Sequence, residues 1–179
     1  MAHTPYSIAA AAAALLAFAV TAHAQSRFEE DFDDKEKPWQ EIAVQLPQAP
    51  KQEDLASFYV SATATQSFAV DTKSVSVGTD GVIRYSLVAI SEAGAKNVSY
   101  EGIRCATYER KLYAFGRSDG SWSRSRKDQW ERIPANAMNR QHAALAKDFF
   151  CEEKSIAGTA DDIVRRLRQN RPLSPQGTR

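Results

Sequence analysis

The stretch Val82-Ile83-Arg84-Tyr85-Ser86-Leu87-Val88-Ala89-Ile90 decides the fold. Ile83, Tyr85, Leu87 and Ala89 fall on one face and Arg84 and Ser86 on the other, the period of two expected of a half-buried strand. Immediately before it, Gly78-Thr79-Asp80-Gly81 is a tight-turn signal, and Val75-Ser76-Val77 alternates on the turn's other side, so a hairpin is predicted there. Upstream, residues 58–61 and 68–71 are short β-rich runs. Downstream, residues 98–107 and 111–117 form two further strands joined near Glu109-Arg110, with Gly102 interrupting the alternation as a bulge candidate. Asp119-Gly120 marks another turn, residues 121–125 a short strand, and residues 130–133 a last one before Pro134. The connections are of hairpin length, so the five to seven strands form one mostly antiparallel sheet.

The helices come last. Asn136 or Asn139 can cap a helix running to about Phe150, with Met138, Leu145 and Phe149 on one side and Cys151 at its end. Thr159-Ala160-Asp161-Asp162 resembles a capping box and opens a second helix through about Asn170, before Pro172. Ile163, Val164 and Leu167 give that helix a thin apolar stripe among Arg165, Arg166, Arg168 and Arg171. The expected class is α+β: a single mostly antiparallel sheet with one or two C-terminal helices and one disulfide.

A chain of 179 residues carrying 43% hydrophobic residues and a net charge of +1 fits one domain with a core. It excludes a multidomain enzyme, a disordered chain and a general nucleic-acid binder. Residues 8–20 are continuously apolar, too few to span a bilayer, and Ala22-His23-Ala24 is a small-x-small cleavage site. The reading is a cleaved export signal over residues 1–24, cut after Ala24, with Gln25 rather than a lipid-attachment Cys next and no transmembrane segment in the mature chain. On this reading the mature chain is soluble and exported. Charge then divides the mature chain. Residues 25–54 hold nine acids against four bases and three prolines, and read as an acidic flexible arm with one short strand at 42–46. That arm is either a solvated linker or folds back along the basic body with Phe28, Phe32 or Trp39 as anchors. Residues 55–171 are the α+β domain, and residues 172–179 a disordered tail.

Cys105 and Cys151 both survive in the mature chain, and an even count in an oxidising compartment reads as a disulfide that stabilises by about 3–4 kcal/mol. A nucleophilic or metal-binding thiol would need partners, and the mature chain has one histidine, His142, and no Cys-x-x-Cys. His142 reads as a surface residue of a polar helix. A calcium loop begun at Asp31 fails, because its sixth and twelfth positions hold Glu36 and Ile42 rather than Gly and Glu. No hydrolase signature and no phosphate-cradling loop is present, so neither a catalytic residue nor a cofactor is expected. The sequon Asn97-Val98-Ser99 carries weight only in a glycosylating host. The patch Arg117-Ser118-Asp119-Gly120-Ser121-Trp122-Ser123-Arg124-Ser125-Arg126-Lys127-Asp128-Gln129-Trp130 mixes bases with two tryptophans. Trp122, Arg124, Arg126 and Trp130 are the candidate partner-binding residues, facing a polyanionic or glycan surface or an envelope protein. The plainer reading is a solvated hairpin with Trp130 in the core and arginines that discourage edge pairing.

Several strings together resemble a known family. The acidic Phe-Glu-Glu-Asp-Phe opening with Trp39, then Phe68-Ala-Val-Asp71-Thr-Lys-Ser74-Val-Ser-Val77, Gly81-Val-Ile-Arg84-Tyr, Tyr100-Glu-Gly102-Ile-Arg104-Cys105, Tyr113-Ala-Phe-Gly116, Gly120-Ser-Trp122 and Trp130, look like the cryptic neisserial protein (CNP)-like family. The resemblance covers about residues 28–151, implies an exported bacterial protein of the periplasm or outer envelope, and brings no catalytic residues. A looser similarity, through Asp71 to Ser74, Gly81, Arg84, Cys105, Trp130 and Cys151, is to the surface-adhesin E-like domain. It implies a sheet with a helix on one face tied by the disulfide, and a host-protein-binding role that the missing lipid-attachment Cys does not support. The expected function is a non-catalytic exported binding module. The rivals are a small envelope hydrolase acting on glycan or peptidoglycan and a host-protein-binding adhesin.

Overall fold

The computed structural model describes residues 38–127, 129–134 and 140–173. The apolar leader, Phe28, Phe32, Asn136, Met138, Asn139 and the last six residues lie outside the described residues. From Gln40 onward the chain forms one compact unit.

Its centre is an antiparallel sheet in the order β1 (Leu55–Phe58), β2 (Gln66–Val77), β3 (Val82–Ser91), β4 (Lys96–Arg104), β5 (Glu109–Gly116) and β6 (Trp122–Arg124), with β7 (Glu131–Arg132) pairing with the start of β5. From β1 to β6 each strand lies beside the next in sequence, as hairpin-length connections require. A short 3₁₀ turn, Gln52–Asp54, leads into β1. After the sheet come α1 (Gln141–Ala144), continued as a π-helical stretch over Leu145–Phe150, the small hairpin β8 (Cys151–Glu152) and β9 (Ser155–Ile156), and α2 (Ala160–Arg168). The described part of the first helix begins behind Arg140, and the two asparagines read as its cap lie outside the described residues.

The run 68–71 and the Val75–Val77 alternation are one long strand, β2, with a bulge, whereas the run 58–61 shares only Phe58 with β1. Register shifts between Asp71 and Ser76, where Asp71 Oδ1 accepts the Lys73 N–H (3.0 Å). Ser74 Oγ donates to the Asp71 carbonyl (2.8 Å) and accepts the Ser86 N–H of β3 (2.7 Å). Extra residues in one strand leave backbone groups unpaired. Here the Asp-x-x-Ser spacing supplies the replacement bonds, so what looks in sequence like a strand break is a continuous strand.

The core lies between one face of the sheet and the C-terminal helices. Ile83 and Tyr85 of β3, Phe58, Phe68 and Ile103 meet Leu145, Phe149, Phe150, Ile163 and Leu167. The Tyr85 and Phe150 rings meet edge to face at 5.0 Å between centroids. Two ties hold the helices there. Cys105 and Cys151 form a disulfide, S–S 2.05 Å, joining the end of β4 to the end of the helical stretch. Arg166 of α2 donates to the carbonyl of Phe149 (2.5 Å), an acceptor that the end of that stretch leaves open, and to that of Ala157 (3.0 Å) just past β9. The start of α2 is the capping box read from the sequence, with Thr159 and Asp162 exchanging side-chain and backbone bonds.

β3 is not half-buried. Arg84 and Ser86, on the face away from the helices, are 4% and 0% exposed. Residues 40–50, which form no strand at 42–46, cross that second face and cover it. Polar residues at alternate positions normally face water. Here a segment distant in sequence arrives to shield them.

Candidate functional site

The segment 41–47, a strap over the second face, is held at one end by a carboxylate and at the other by a carbonyl. Glu41 accepts from Lys111 Nζ (2.8 Å), Tyr113 OH (2.6 Å) and Trp130 Nε1 (3.4 Å), and lies 3.5 Å from Arg84. Asp80 takes the Arg84 guanidinium with both oxygens (3.1 and 2.6 Å) and also accepts the Ile42 N–H (3.1 Å). Val44 and Leu46 pack against Tyr100, Tyr113, Ala114 and Trp122, and Trp122 Nε1 donates to the Pro47 carbonyl (2.7 Å). Charge-assisted bonds of this kind are about twice as strong as neutral ones.

The electrostatics follow from burial plus these partners. Burial pushes the Asp80 carboxyl up, but the Arg84 hydrogen bond and the Ile42 N–H outweigh it and hold the group below the usual carboxylate range. Burial and the Glu41 hydrogen bond both push the Tyr113 hydroxyl well above its ordinary value, so it stays a donor. Arg84 keeps its charge although burial opposes it, because Asp80, with Glu41 adding a smaller pull, stabilises the cation.

Two close approaches make this possible. A Cβ on Gly102 would sit 2.5 Å from Tyr113 Oη, so only glycine lets the ring lie over β4. One on Gly78 would sit 2.3 Å from Asp80 Oδ1 and 2.7 Å from an Arg84 nitrogen, closing the space the ion pair fills. The bulge suspected at Gly102 is a register shift between Tyr100 and Glu101, where Tyr100 faces Ala114 and Glu101 faces Leu112. Tyr113 is therefore the extra residue, turned toward Glu41.

Beside the strap is a cleft of about 300 Å³ lined by Glu41, Ile42, Val44, Lys111, Leu112, Tyr113, Arg124 and Ser125. Of the residues singled out in the sequence, the structure brings Trp122, Arg124 and Trp130 to this region. Trp122 and Trp130 are half-buried and bonded to the strap, and the Arg104 guanidinium lies 5.7 Å from the Trp130 ring. Arg124 lines the cleft and Arg126 is exposed beyond it. Neither forms an ion pair among the described residues. The receptor residues that sequence reasoning missed are Glu41, Asp80, Arg84, Lys111 and Tyr113. Arg84, on an otherwise regular strand, carried the one signal, a cation at a register position flanked by core residues.

A second cluster lies under the helices. His142 is buried, not on the surface, and its Nε2 lies 2.6 Å from Glu101 Oε2. Glu101 also accepts from Ser99 Oγ (2.6 Å) and Tyr85 OH (3.2 Å). Burial pushes Glu101 up, but His142, Ser99 and Arg110 outweigh it and hold it below the ordinary carboxylate range. Burial, followed by the Glu101 charge, raises Tyr85 well above its usual value. A helix reading misses this because the carboxylate beneath the helix comes from the sheet, 41 residues away. Among the described residues no group of three or more His, Cys, Asp or Glu could hold a metal ion, and no helix is long and apolar enough to cross a membrane.

The sheet, its two covered faces and the disulfide define a small α+β protein stapled at its C-terminal end. The chain belongs to the CNP1-like family, whose profile matches residues 34–168. No curated protein and no solved structure matches it, and the looser similarity to the surface-adhesin E-like domain is not shown.

Proposed function

We propose that this is an exported, non-catalytic protein of the bacterial envelope that binds an anionic partner on its strap-side face. The carrying observation is the cleft beside Glu41, where Lys111, Tyr113 and Arg124 converge and Arg124 has no acidic partner among the described residues. The pull is electrostatic: with Arg84, Lys111 and Arg124 against Glu41 and Asp80, one positive charge is left over to attract an anion. The apolar leader and the small-x-small triplet before Gln25 support export. The cysteine pair suits an oxidising compartment.

Against catalysis stands the economy of the one histidine of the mature chain. The His142 and Glu101 side chains are 10% and 6% exposed, and their polar ends are spent on each other. A hydrolase would need that pair to reach a substrate. The test is retention of the purified protein on immobilised envelope extract at low salt. Arg124→Ala/Arg126→Ala should lose most of it, and retention equal to wild type would overturn the reading. For export, recovery from fractionated cells with residues 1–24 still attached would overturn the placement.

A further inference from the structure

The strap face is already seen with an occupant, and that occupant is an extended peptide. Residues 40–50 form no strand pairing with the sheet, so the body reads the strap by its side chains and two backbone groups. The body supplies the donors: Lys111, Tyr113 and Trp130 to a carboxylate, and Trp122 Nε1 to a carbonyl. The strap supplies a carboxylate at Glu41, aliphatic side chains three and five residues on at Val44 and Leu46, and the carbonyl of Pro47. A binding face that recognises its own chain this way has the chemistry to recognise another of the same pattern. The cleft beside the strap keeps Arg124 available as a first point of contact for an incoming acid.

We infer that the anionic partner is a protein segment, extended and acidic, with a carboxylate followed at the third and fifth positions by aliphatic side chains, and that residues 41–47 are the resident occupant it displaces. This rests on the binding-module reading and names the ligand class of the same face. A segment arriving from solution finds its site filled, so its apparent affinity is reduced by the fraction of molecules in which the strap is seated. Weakening the strap therefore strengthens binding in trans, which is the opposite of what loss of a ligand-contacting residue does.

The probe is a fluorescent peptide Glu-Ile-Ala-Val-Gln-Leu-Pro, capped at both ends and titrated by anisotropy into the full chain. Glu41→Ala should bind it about tenfold or more tightly than wild type. A peptide beginning with Gln should bind the same variant about tenfold less tightly, since it lacks the charge that Lys111 and Arg84 receive. Adding Lys111→Met to Glu41→Ala should abolish the gain. Should Glu41→Ala fail to fold by circular dichroism, Leu46→Ala loosens the other end of the strap while leaving every residue of the body in place, and should show a smaller gain in the same direction. A folded Glu41→Ala chain with no peptide binding would overturn the inference, as would equal binding of the Gln peptide. A Glu41→Ala chain that sediments as a dimer would overturn it too, because a second copy's strap would then be the occupant. If peptide binding is absent while Arg124→Ala/Arg126→Ala still loses envelope retention, the ligand class fails and the binding module stands. If both are absent, the module itself fails.

Discussion

His142→Ala should be among the most damaging single substitutions in the protein. The variant leaves the Glu101 carboxylate, whose side chain is 6% exposed, without the imidazole 2.6 Å away, while Ser99 and Tyr85 still donate to it. Removing one member of a buried pair costs about 3–5 kcal/mol, because the survivor is a charge in a dry site. With two hydrogen bonds remaining, about 3–4 kcal/mol is expected, and about 10 °C in Tm for a domain of this size. Replacing both, as Glu101→Leu/His142→Leu, should recover part of that loss, since an apolar pair in the same space carries no desolvation cost.

The pH dependence gives a second handle. In the wild type the Glu101 carboxyl is held below its unfolded value, so its stabilisation is present above the ordinary carboxylate range, about 4.5, and is lost as pH falls through the folded value. Without His142, burial is the largest influence left. The folded value then rises, and the variant loses stability as pH rises through it. The gap between the two proteins should be widest near about pH 7 and narrow toward about pH 4. Urea unfolding at the two pH values measures both. A loss under about 1 kcal/mol, or a gap that does not narrow, would refute the claim that Glu101 is an ionised carboxylate that needs His142 for its stability.

Cys105→Ser/Cys151→Ser should lower stability by about 4 kcal/mol for a separation of 46 residues, read as a shift in denaturation midpoint that wild type reproduces only when reductant is added. Gly102→Ala should cost about 1–3 kcal/mol, because its Cβ would meet the Tyr113 hydroxyl at 2.5 Å. Adding Tyr113→Phe, which removes that oxygen, should relieve part of the clash in the same unfolding assay. Thr159→Ala should cost about 1 kcal/mol through loss of the α2 cap, whereas Thr159→Ser should be close to neutral.

The sheet, the closing hairpins, the disulfide and the α2 cap were legible because each is written in local pattern or in cysteine count. Three features were not, and the first and last share one cause. Arg84 and Ser86 read as solvent-facing because their cover comes from residues 40–50. Asp71 to Ser74 read as a break because a bulge trades ladder bonds for side-chain ones. His142 read as exposed because its acid sits on another element. Periodicity records which side of a strand or helix a residue is on, and says nothing of what arrives there from elsewhere. Glu101 held a usable clue. It sits opposite Tyr85, on the face where β3 carries its apolar residues, and a carboxylate at such a position demands a buried partner. Trp122 and Trp130 were singled out for a partner, and the partner they touch in this structure is the strap.

The strap also sets an order of events. Glu41 bonds to residues 70, 72 and 89 positions further along the chain, and Pro47 to one 75 positions on. A chain made from its N-terminus can therefore complete the bonds of residues 41–47 only when Trp130 has been synthesised. Contacts of such sequence separation form late and slowly, since the loop-closure entropy is spent before they repay it. The strap thus closes over the sheet only once its last strands are present.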